Sequence, residues 1–377
     1  MKIAVIGFGV SGAIFSIAYK RAHPKDEIIL LEHLDSPLKK VLATGNGKCN
    51  IGNNSSLKGI YNDDFISGIL EKYDYKTQEK FLDSLNIKTK LVGNLAYPIS
   101  ESAVTVRNAL LKAIEAAKIE VIYNANIEDY SVNDNDIDIY LSDRSLKADR
   151  LVIATGGKSN PKLGSDGSIF DILNDHHYRI NKLEPGLCPI VTKESFKELD
   201  GTRVKGEVTV RKNNKIIFKE KGEILFKKHG LSGIVIFNSS RIIAHDLNAK
   251  YEISLDFLPE ISKDDLGIFL SFNKADVLLD AYLHPLISER IKKENLTGIK
   301  LLDRIKSFKC HFDSLSGFEY SQVTIGGVSL KDVNNKLESN IEKHVYFIGE
   351  VLDVDAPCGG YNLMWAIASG LYLSDYL

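Results

Sequence analysis

The first thirty-two residues restrict the fold of this chain more than any other stretch. Lys2–Ile6 (KIAVI) is a short apolar run with β-branched residues, the pattern of a strand buried on both faces. It runs into Gly7-Phe8-Gly9-Val10-Ser11-Gly12, a G-x-G-x-x-G turn, then a helical stretch over 13–21 and a second strand, Glu27–Leu31, ending at Glu32. Each residue type has a job. Gly7 permits the tight turn, Gly9 lets a pyrophosphate approach the backbone, and Gly12 lets helix and strand pack closely. The helix N-terminus offers unpaired N–H groups and a partial positive charge. An acid twenty residues beyond Gly12 suits ribose hydroxyls and repels a 2′-phosphate, which disfavours NADP. The order of strand, glycines, helix, strand and acid predicts a dinucleotide-binding α/β unit.

Composition narrows the setting. A chain of 377 residues has room for two or three domains, and 44% apolar with 26% charged residues is ordinary for a soluble globular protein. Forty-eight Lys and Arg against 50 Asp and Glu leave a net charge of −2, with no general excess of positive charge for a phosphate backbone. Cys49, Cys188, Cys310 and Cys358 lie far apart with no paired His spacing, so neither a metal site nor a disulfide framework is expected. The apolar stretch 3–19 carries three glycines and meets Lys20-Arg21, unlike a signal-peptide core. No run of about 18 uninterrupted apolar residues is present. These features fit a reducing cytoplasm and exclude a membrane as an expected partner.

The rest of the chain separates NAD from FAD. Residues 37–50 (PLKKVLATGNGKCN) form a basic, glycine-rich loop, where Gly45, Gly47 and Lys48 can bring N–H groups and a cation to an anionic ligand. Between Glu120 and Asp149 the pattern changes to short strands, Val121–Ile127, Tyr130–Val132 and Ile137–Leu141, separated by polar turns. A buried strand then ends in Ala154-Thr155-Gly156-Gly157. A meander followed by such a strand is similar to FAD domains of the glutathione-reductase type. Near the C-terminus, residues 344–350 (HVYFIGE) form another buried strand ending in Gly349-Glu350. Asp353 follows, then Gly359-Gly360-Tyr361-Asn362, which opens a helix. In folds of that type the acid reaches the ribityl chain, and the helix N-terminus faces the N1/O2 edge of the flavin.

Motifs along the whole chain carry a specific resemblance. Residues 39–50 (KKVLATGNGKCN), 96–106 (AYPISESAVTV), 154–168 (ATGGKSNPKLGSDGS), 222–233 (GEILFKKHGLSG), 323–328 (VTIGGV) and 349–370 (GEVLDVD…GGYNLMWAIASG) occur in the family's order. The chain resembles bacterial flavoproteins of the YhiN and aminoacetone-oxidase type. It departs from them at Lys227, commonly Thr, at Ile234, commonly Pro, and at Ala356-Pro357, where a glycine-containing turn is usual. The resemblance implies FAD and a binding set of Gly7, Gly9, Ser11, Gly12, Glu32, His33, Lys40, Gly45, Gly47, Lys48, Cys49, Asn50, Ile127, Ala154, Thr155, Gly156, Gly157, Gly349, Glu350, Asp353, Gly360, Tyr361 and Asn362.

The expected fold class is α/β: a discontinuous Rossmann-like FAD-binding domain (1–186 and 319–377), an inserted β-rich domain (187–259) and a small helical domain (260–318). Strand patterns at Val204–Arg211, Lys215–Glu220, Ile224–Phe226 and Tyr251–Phe257 suggest a small β-domain or partial barrel. Over 262–307 the apolar spacing turns helical, with Ser262 before Asp264 and Asp265 as a start. Inserts packed over a flavin domain imply a substrate cleft beside the isoalloxazine ring.

Only one complete fingerprint is present, so no separate NAD(P)H domain is expected. Either an organic substrate reduces the flavin and oxygen reoxidises it, or NAD(P)H binds transiently as reductant. The resemblance implies an FAD-dependent oxidoreductase using hydride transfer at flavin N5 on a small-molecule substrate, of the aminoacetone-oxidase or enone-reductase kind. A tRNA-modifying flavoprotein and a non-catalytic FAD-binding protein are the alternatives, and the charge balance counts against nucleic acid as a partner. Candidate catalytic residues are Cys358, beside the expected flavin edge, and Tyr361 and Asn362, which begin the flavin-facing helix. Nothing in the sequence fixes an oligomeric state.

Overall fold

The computed structural model describes residues 1–377 as two compact units, Met1–Glu184 with Val323–Leu377, and Pro185–Gln322. The first is organised by a parallel sheet of β1 (Lys2–Ile6), β2 (Glu27–Glu32), β3 (Glu120–Tyr123), β4 (Arg150–Ile153) and β5 (Val345–Phe347), in the order β5-β4-β1-β2-β3. Register sets Val5 opposite Leu30 on one side and Val152 on the other. Ile3, Val5, Leu30, Val152, Ile153 and Phe347 are fully excluded from solvent, which is why these strands read as continuous apolar runs. Each such side chain contributes roughly 1.5–3 kcal/mol by leaving water.

Helix α1 (Val10–Ala22) joins β1 to β2, α2 (Ala103–Ala116) precedes β3, and α3 (Tyr361–Tyr376) follows β5. Ser11 to Ile17 are buried without a break, because α3 packs against α1 so closely that a Cβ on Gly370 would lie 2.8 Å from the Ser11 carbonyl. The sheet order reverses at β1: the chain moves outward to β2 and β3, then crosses to β4 and β5. That reversal opens a crevice at the carboxyl ends of β1 and β4, where open α/β sheets bind ligands. Gly7 and Ala154 stand at those two ends.

The meander beside this sheet runs through Ile127–Val132, Ile137–Leu141 and Ser145–Ala148. Its expected first strand, 121–127, is corrected: residues 120–123 pair with β2, with Val121 opposite Leu30. A left-handed residue, Asn124 (φ 54°), then breaks the run. Apolar content alone does not say which sheet a strand joins. The third meander strand escaped the reading because Leu146 and Ala148 are its only apolar residues.

The second unit contains a closed barrel of Ile190–Thr192, Gly230–Ser232, Lys215–Lys227, Arg203–Lys212, Tyr251–Asp256 and Phe308–Leu315, neighbours in that order. Val208, Val210, Ile224, Phe226, Ile253 and Leu255 fill its interior by the alternation that a barrel wall requires. Two expected strands are continuous here: Lys215–Glu220 and Ile224–Phe226 form one strand through Gly222, against which Val235 of the helix Ile234–Ala244 packs. Four helices, Lys263–Phe272, Ala275–Tyr282, Pro285–Lys292 and Gly298–Lys306, lie between the last two barrel strands. The first is capped by Ser262, whose Oγ accepts from Asp265 N at 3.1 Å. The fold class is α/β, with a Rossmann-like core, a barrel insertion and helices. No helix is long and apolar enough to cross a membrane.

Candidate functional site

The crevice is built first from three glycines whose environments differ. Gly7 has φ +105°, and a Cβ there would sit 2.5 Å from the Ala154 carbonyl. A Cβ on Gly12 would lie 2.2 Å from the Gly7 carbonyl. These two glycines lock helix onto strand. Gly9 has nothing within 4 Å of its missing Cβ, so the space before the first turn of α1 is open. That turn carries no acid and no side-chain cap, and its first N–H groups lack intrahelical acceptors. The Ser11 hydroxyl lies against Gly349, where a Cβ would come within 2.5 Å of it.

Glu32 lies at the carboxyl end of β2, buried. Its Oε2 accepts from Phe8 N at 3.2 Å and its Oε1 from Leu34 N at 3.0 Å. The same carboxylate that suits a ribose therefore also shapes the glycine turn. His33 Nδ1 stands 3.4 Å from Glu32 and its Nε2 3.9 Å from Asp166. Ala125 N donates to Glu32 O at 2.9 Å, which brings the segment leading to half-buried Ile127 alongside.

At the end of β4, a network joins residues far apart in sequence. Lys40 Nζ donates to Glu350 Oε2 and to Ser159 Oγ, each at 2.8 Å. Glu350 Oε1 accepts from Ser159 Oγ at 3.1 Å and from Thr324 N at 2.8 Å. Thr324 Oγ1 in turn accepts from Lys158 N and Ser159 N, and Gly157 has no room for a Cβ beside it. The structure thus brings Lys40, Gly156, Gly157 and Glu350 together. Sequence reasoning missed Ser159 and Thr324, although both stood inside motifs it had noted.

The start of α3 forms the other end. Gly359 and Gly360 have φ +130° and +88°. Asn50, its amide oriented to satisfy its neighbours, donates to the Ala96 and Gly52 carbonyls and accepts from Gly360 N. Asn53 Nδ2 donates to Gly359 O at 2.9 Å, and its Oδ1 accepts from Ser55 Oγ at 2.6 Å. Ser55 Oγ lies 2.7 Å from the Tyr361 hydroxyl, and Tyr61 donates to Tyr361 O. Asn362 clamps the preceding loop, accepting from Ala356 N at 3.0 Å and donating to Ala356 O at 2.9 Å. Trp365 is buried and donates to Gly349 O at 3.0 Å. Asn53, Ser55 and Tyr61 were not anticipated, because their roles depend on contacts with residues some 300 positions away.

Other expected residues take separate places. Lys48 pairs with Glu101 at 3.0 Å on the surface, where Lys90 and Lys48 together hold that carboxyl at about 2. Cys49 is fully buried, at positive φ, and burial pushes its thiol up to about 11, so it stays protonated. Gly45 and Asn46 are left-handed in the turn before it. Asp353 is held by Asn62 and Asn181, and Cys358 is half-buried.

The residues fit an extended dinucleotide. Two helix starts, α1 and α3, lack first-turn acids and side-chain caps. One faces open space at Gly9, and a buried acid, Glu32, stands at the carboxyl end of β2.

Comparison with known proteins agrees. The model of the HI0933-like protein Rossmann domain family matches residues 1–375. The chain is 29% identical to the 3-dehydro-bile acid delta(4,6)-reductase of Clostridium scindens, over 98% of this chain and 97% of that protein. It is 25% identical to the ribosomal RNA dihydrouridine synthase of Escherichia coli, over 97% and 95%. Among solved structures, a quinol-fumarate reductase matches all of this chain and 70% of its own at a TM-score of 0.51 and 13% identity. A 3-ketosteroid-delta4-(5alpha)-dehydrogenase from Rhodococcus jostii matches 99% of this chain and 96% of its own at a TM-score of 0.50 and 12% identity. These two likenesses concern the fold. The chain belongs to the HI0933-like protein Rossmann domain family and is an FAD-binding flavoprotein enzyme.

Proposed function

We propose that this flavoprotein saturates a carbon–carbon double bond conjugated to a carbonyl in a small organic substrate. One observation carries the reading. Curated relatives that align with nearly the whole chain bear names for reactions on different molecules, a bile acid and a uridine, yet on the same kind of bond. Bound FAD, once reduced by two electrons, would supply the hydride at N5. The protein's part is orientation and charge. N–H groups of the first turn of α1 would hold the pyrophosphate, with Glu32 on the ribose and Glu350 beside the ribityl chain. The first turn of α3, free of acids, would favour negative charge at the pyrimidine edge of the flavin. Completing the saturation takes a proton. Tyr361, 2.7 Å from Ser55, and Cys358 on the preceding turn are the candidates that carry one, while Asn362 holds the backbone of Ala356 just before Cys358. Electrons would come from a soluble donor, with NAD(P)H tested first.

The test is anaerobic. Flavin reduced with dithionite is mixed with a 4-ene-3-oxo steroid and, separately, with simple amines after reoxidation. Return of the visible flavin band with the enone, in the absence of air, is expected. Bleaching by an amine with peroxide formation in air, and no response to enones, would assign an oxidase instead.

A second reading places the uracil within RNA. It draws on the names of the relatives from Escherichia coli and Haemophilus influenzae and on a basic end of the barrel. Exposed Lys227, Lys228 and His229 sit at one turn, whose carbonyls accept from Thr192 N and Phe196 N, beside exposed Lys193 and Lys197. Salt-sensitive binding of ribosomal RNA fragments, with loss of dihydrouridine on gene deletion, would select this reading.

A further inference from the structure

Lys40 and Glu350 are more than a surface ion pair. Their side chains are 29% and 23% exposed, and Ser159 and Thr324 bind the pair at 2.8–3.1 Å. Four segments meet there: the helix Lys39–Ala43, the loop after β4, the strand Val323–Val328 and the turn after β5. The pair also borders the crevice. An ideal Cβ on Gly156 would come within 3.7 Å of Glu350 Oε2, and one on Gly349 within 2.5 Å of Ser11 Oγ in the first turn of α1. As a pair the two charges cancel. Separately, each would place a full charge beside the ligand in a partly desolvated site, where Coulomb effects are stronger than in water.

We propose that Lys40 and Glu350 form a matched charge pair that sets the electron affinity of the bound cofactor, with Ser159 and Thr324 as positioning residues that hold the pair closed. The proposal rests on the reading that this crevice holds FAD. It has a signature that a staple between loops does not share. Reduction of a flavin adds negative charge, so an unpaired Lys40 favours the reduced form and an unpaired Glu350 opposes it. The two single variants must therefore shift the flavin in opposite directions, whereas loss of a staple would move both alike.

The experiment measures the midpoint potential of the bound flavin by dye equilibration in the wild type, E350Q, K40M, K40R and the double variant K40M/E350Q. At a fixed poise, E350Q is expected to raise the reduced-to-oxidised ratio at least tenfold, about 30 mV for a two-electron couple. K40M is expected to lower it by a similar factor, with K40R and the double variant within threefold of wild type. Shifts of the same sign, or below twofold in both single variants, overturn the proposal. Should K40M fail to fold or to retain flavin, E350Q against K40R decides alone: a tenfold rise in E350Q with K40R unchanged supports the pair, and its absence overturns it. A wild-type protein that takes up no flavin overturns the cofactor reading and the proposal with it.

Discussion

The two helix starts that frame the crevice are made in opposite ways. At α1, backbone presses on backbone: Gly7 and Gly12 exclude side chains by their contacts with Ala154 and with each other. At α3, the turn at Gly359-Gly360 is held by side chains, with Asn50, Asn53, Tyr61 and Asn362 each donating or accepting at a backbone atom. The first device is local and leaves its mark as a spacing within six residues. The second is assembled from chain ends that meet only in the folded state. Both ends resist added atoms, since a Cβ on Gly360 would come within 2.6 Å of the Gly52 carbonyl, but only the second depends in addition on side-chain hydrogen bonds that a substitution can remove.

The largest effect is expected from Gly12→Val, which forces a Cβ to within 2.2 Å of a carbonyl oxygen that the sheet holds in place. A loss of about 3 kcal/mol or more follows from such overpacking, read as a lowered urea midpoint or no soluble protein. A near-normal midpoint would mean that α1 can slide, and the contrast between the two ends would dissolve. At the other end, Asn362→Ala strands the N–H and carbonyl of Ala356. It should cost about 2 kcal/mol in unfolding experiments, and a change below about 0.5 kcal/mol would show that the loop is held by other contacts.

Gly9→Ala sharpens the contrast within α1 itself. With nothing within 4 Å and a φ of −85°, it should leave stability within about 0.5 kcal/mol. Flavin affinity should nevertheless fall roughly tenfold, about 1.4 kcal/mol, by fluorescence titration. Unchanged affinity would remove the pyrophosphate from this turn.

A control outside both ends is His176. Its two ring nitrogens face Asp129 at 2.9 Å and Glu342 at 2.8 Å, while the ring stacks on Tyr130 and Glu342 also accepts from Tyr130 and Tyr178. Burial alone would lower its pKa, but the two carboxylates outweigh that and raise it above 6.5. Its contribution is therefore complete below the unfolded value and disappears as pH rises through the raised one. Screened by solvent, it amounts to about 1 kcal/mol or less. Melting temperature should fall over that interval in the wild type and not in His176→Ala. Equal slopes would sink the assignment, and flavin affinity should respond in neither.

The same contrast explains what the sequence made legible. The strand–glycine–helix–acid order of α1 is contiguous, and each glycine answers a local steric demand, so residues 2–32 could be read directly. The Ala154–Gly157 strand end and Gly349-Glu350 were legible as patterns, yet nothing in either stretch says that Lys40 lies between them. Ser159 and Thr324 were hidden for the same reason, since a hydroxyl that satisfies a distant carboxylate looks like any other. Lys48 shows the converse: a cation in a glycine-rich loop invites a ligand, but Glu101 lies within reach and takes it. In the second unit, alternation announced strands, whereas closure into a barrel depends on the pairing of Ile190–Thr192 with Phe308–Leu315, more than a hundred residues later.

The order of the chain has a consequence for how the protein is made. β5, Glu350 and α3 are synthesised after all of residues 185–322, while the fingerprint at β1 and α1 emerges before them. Domains generally fold as units, N-terminal first, during synthesis. Here a growing chain displays its glycine turn long before it has the charge pair or the second helix start. A message truncated between residues 32 and 345 would yield a protein with the signature and without the crevice. Capture of the cofactor thus waits until β5 and α3 have been made, and ligand binding reports that they have arrived.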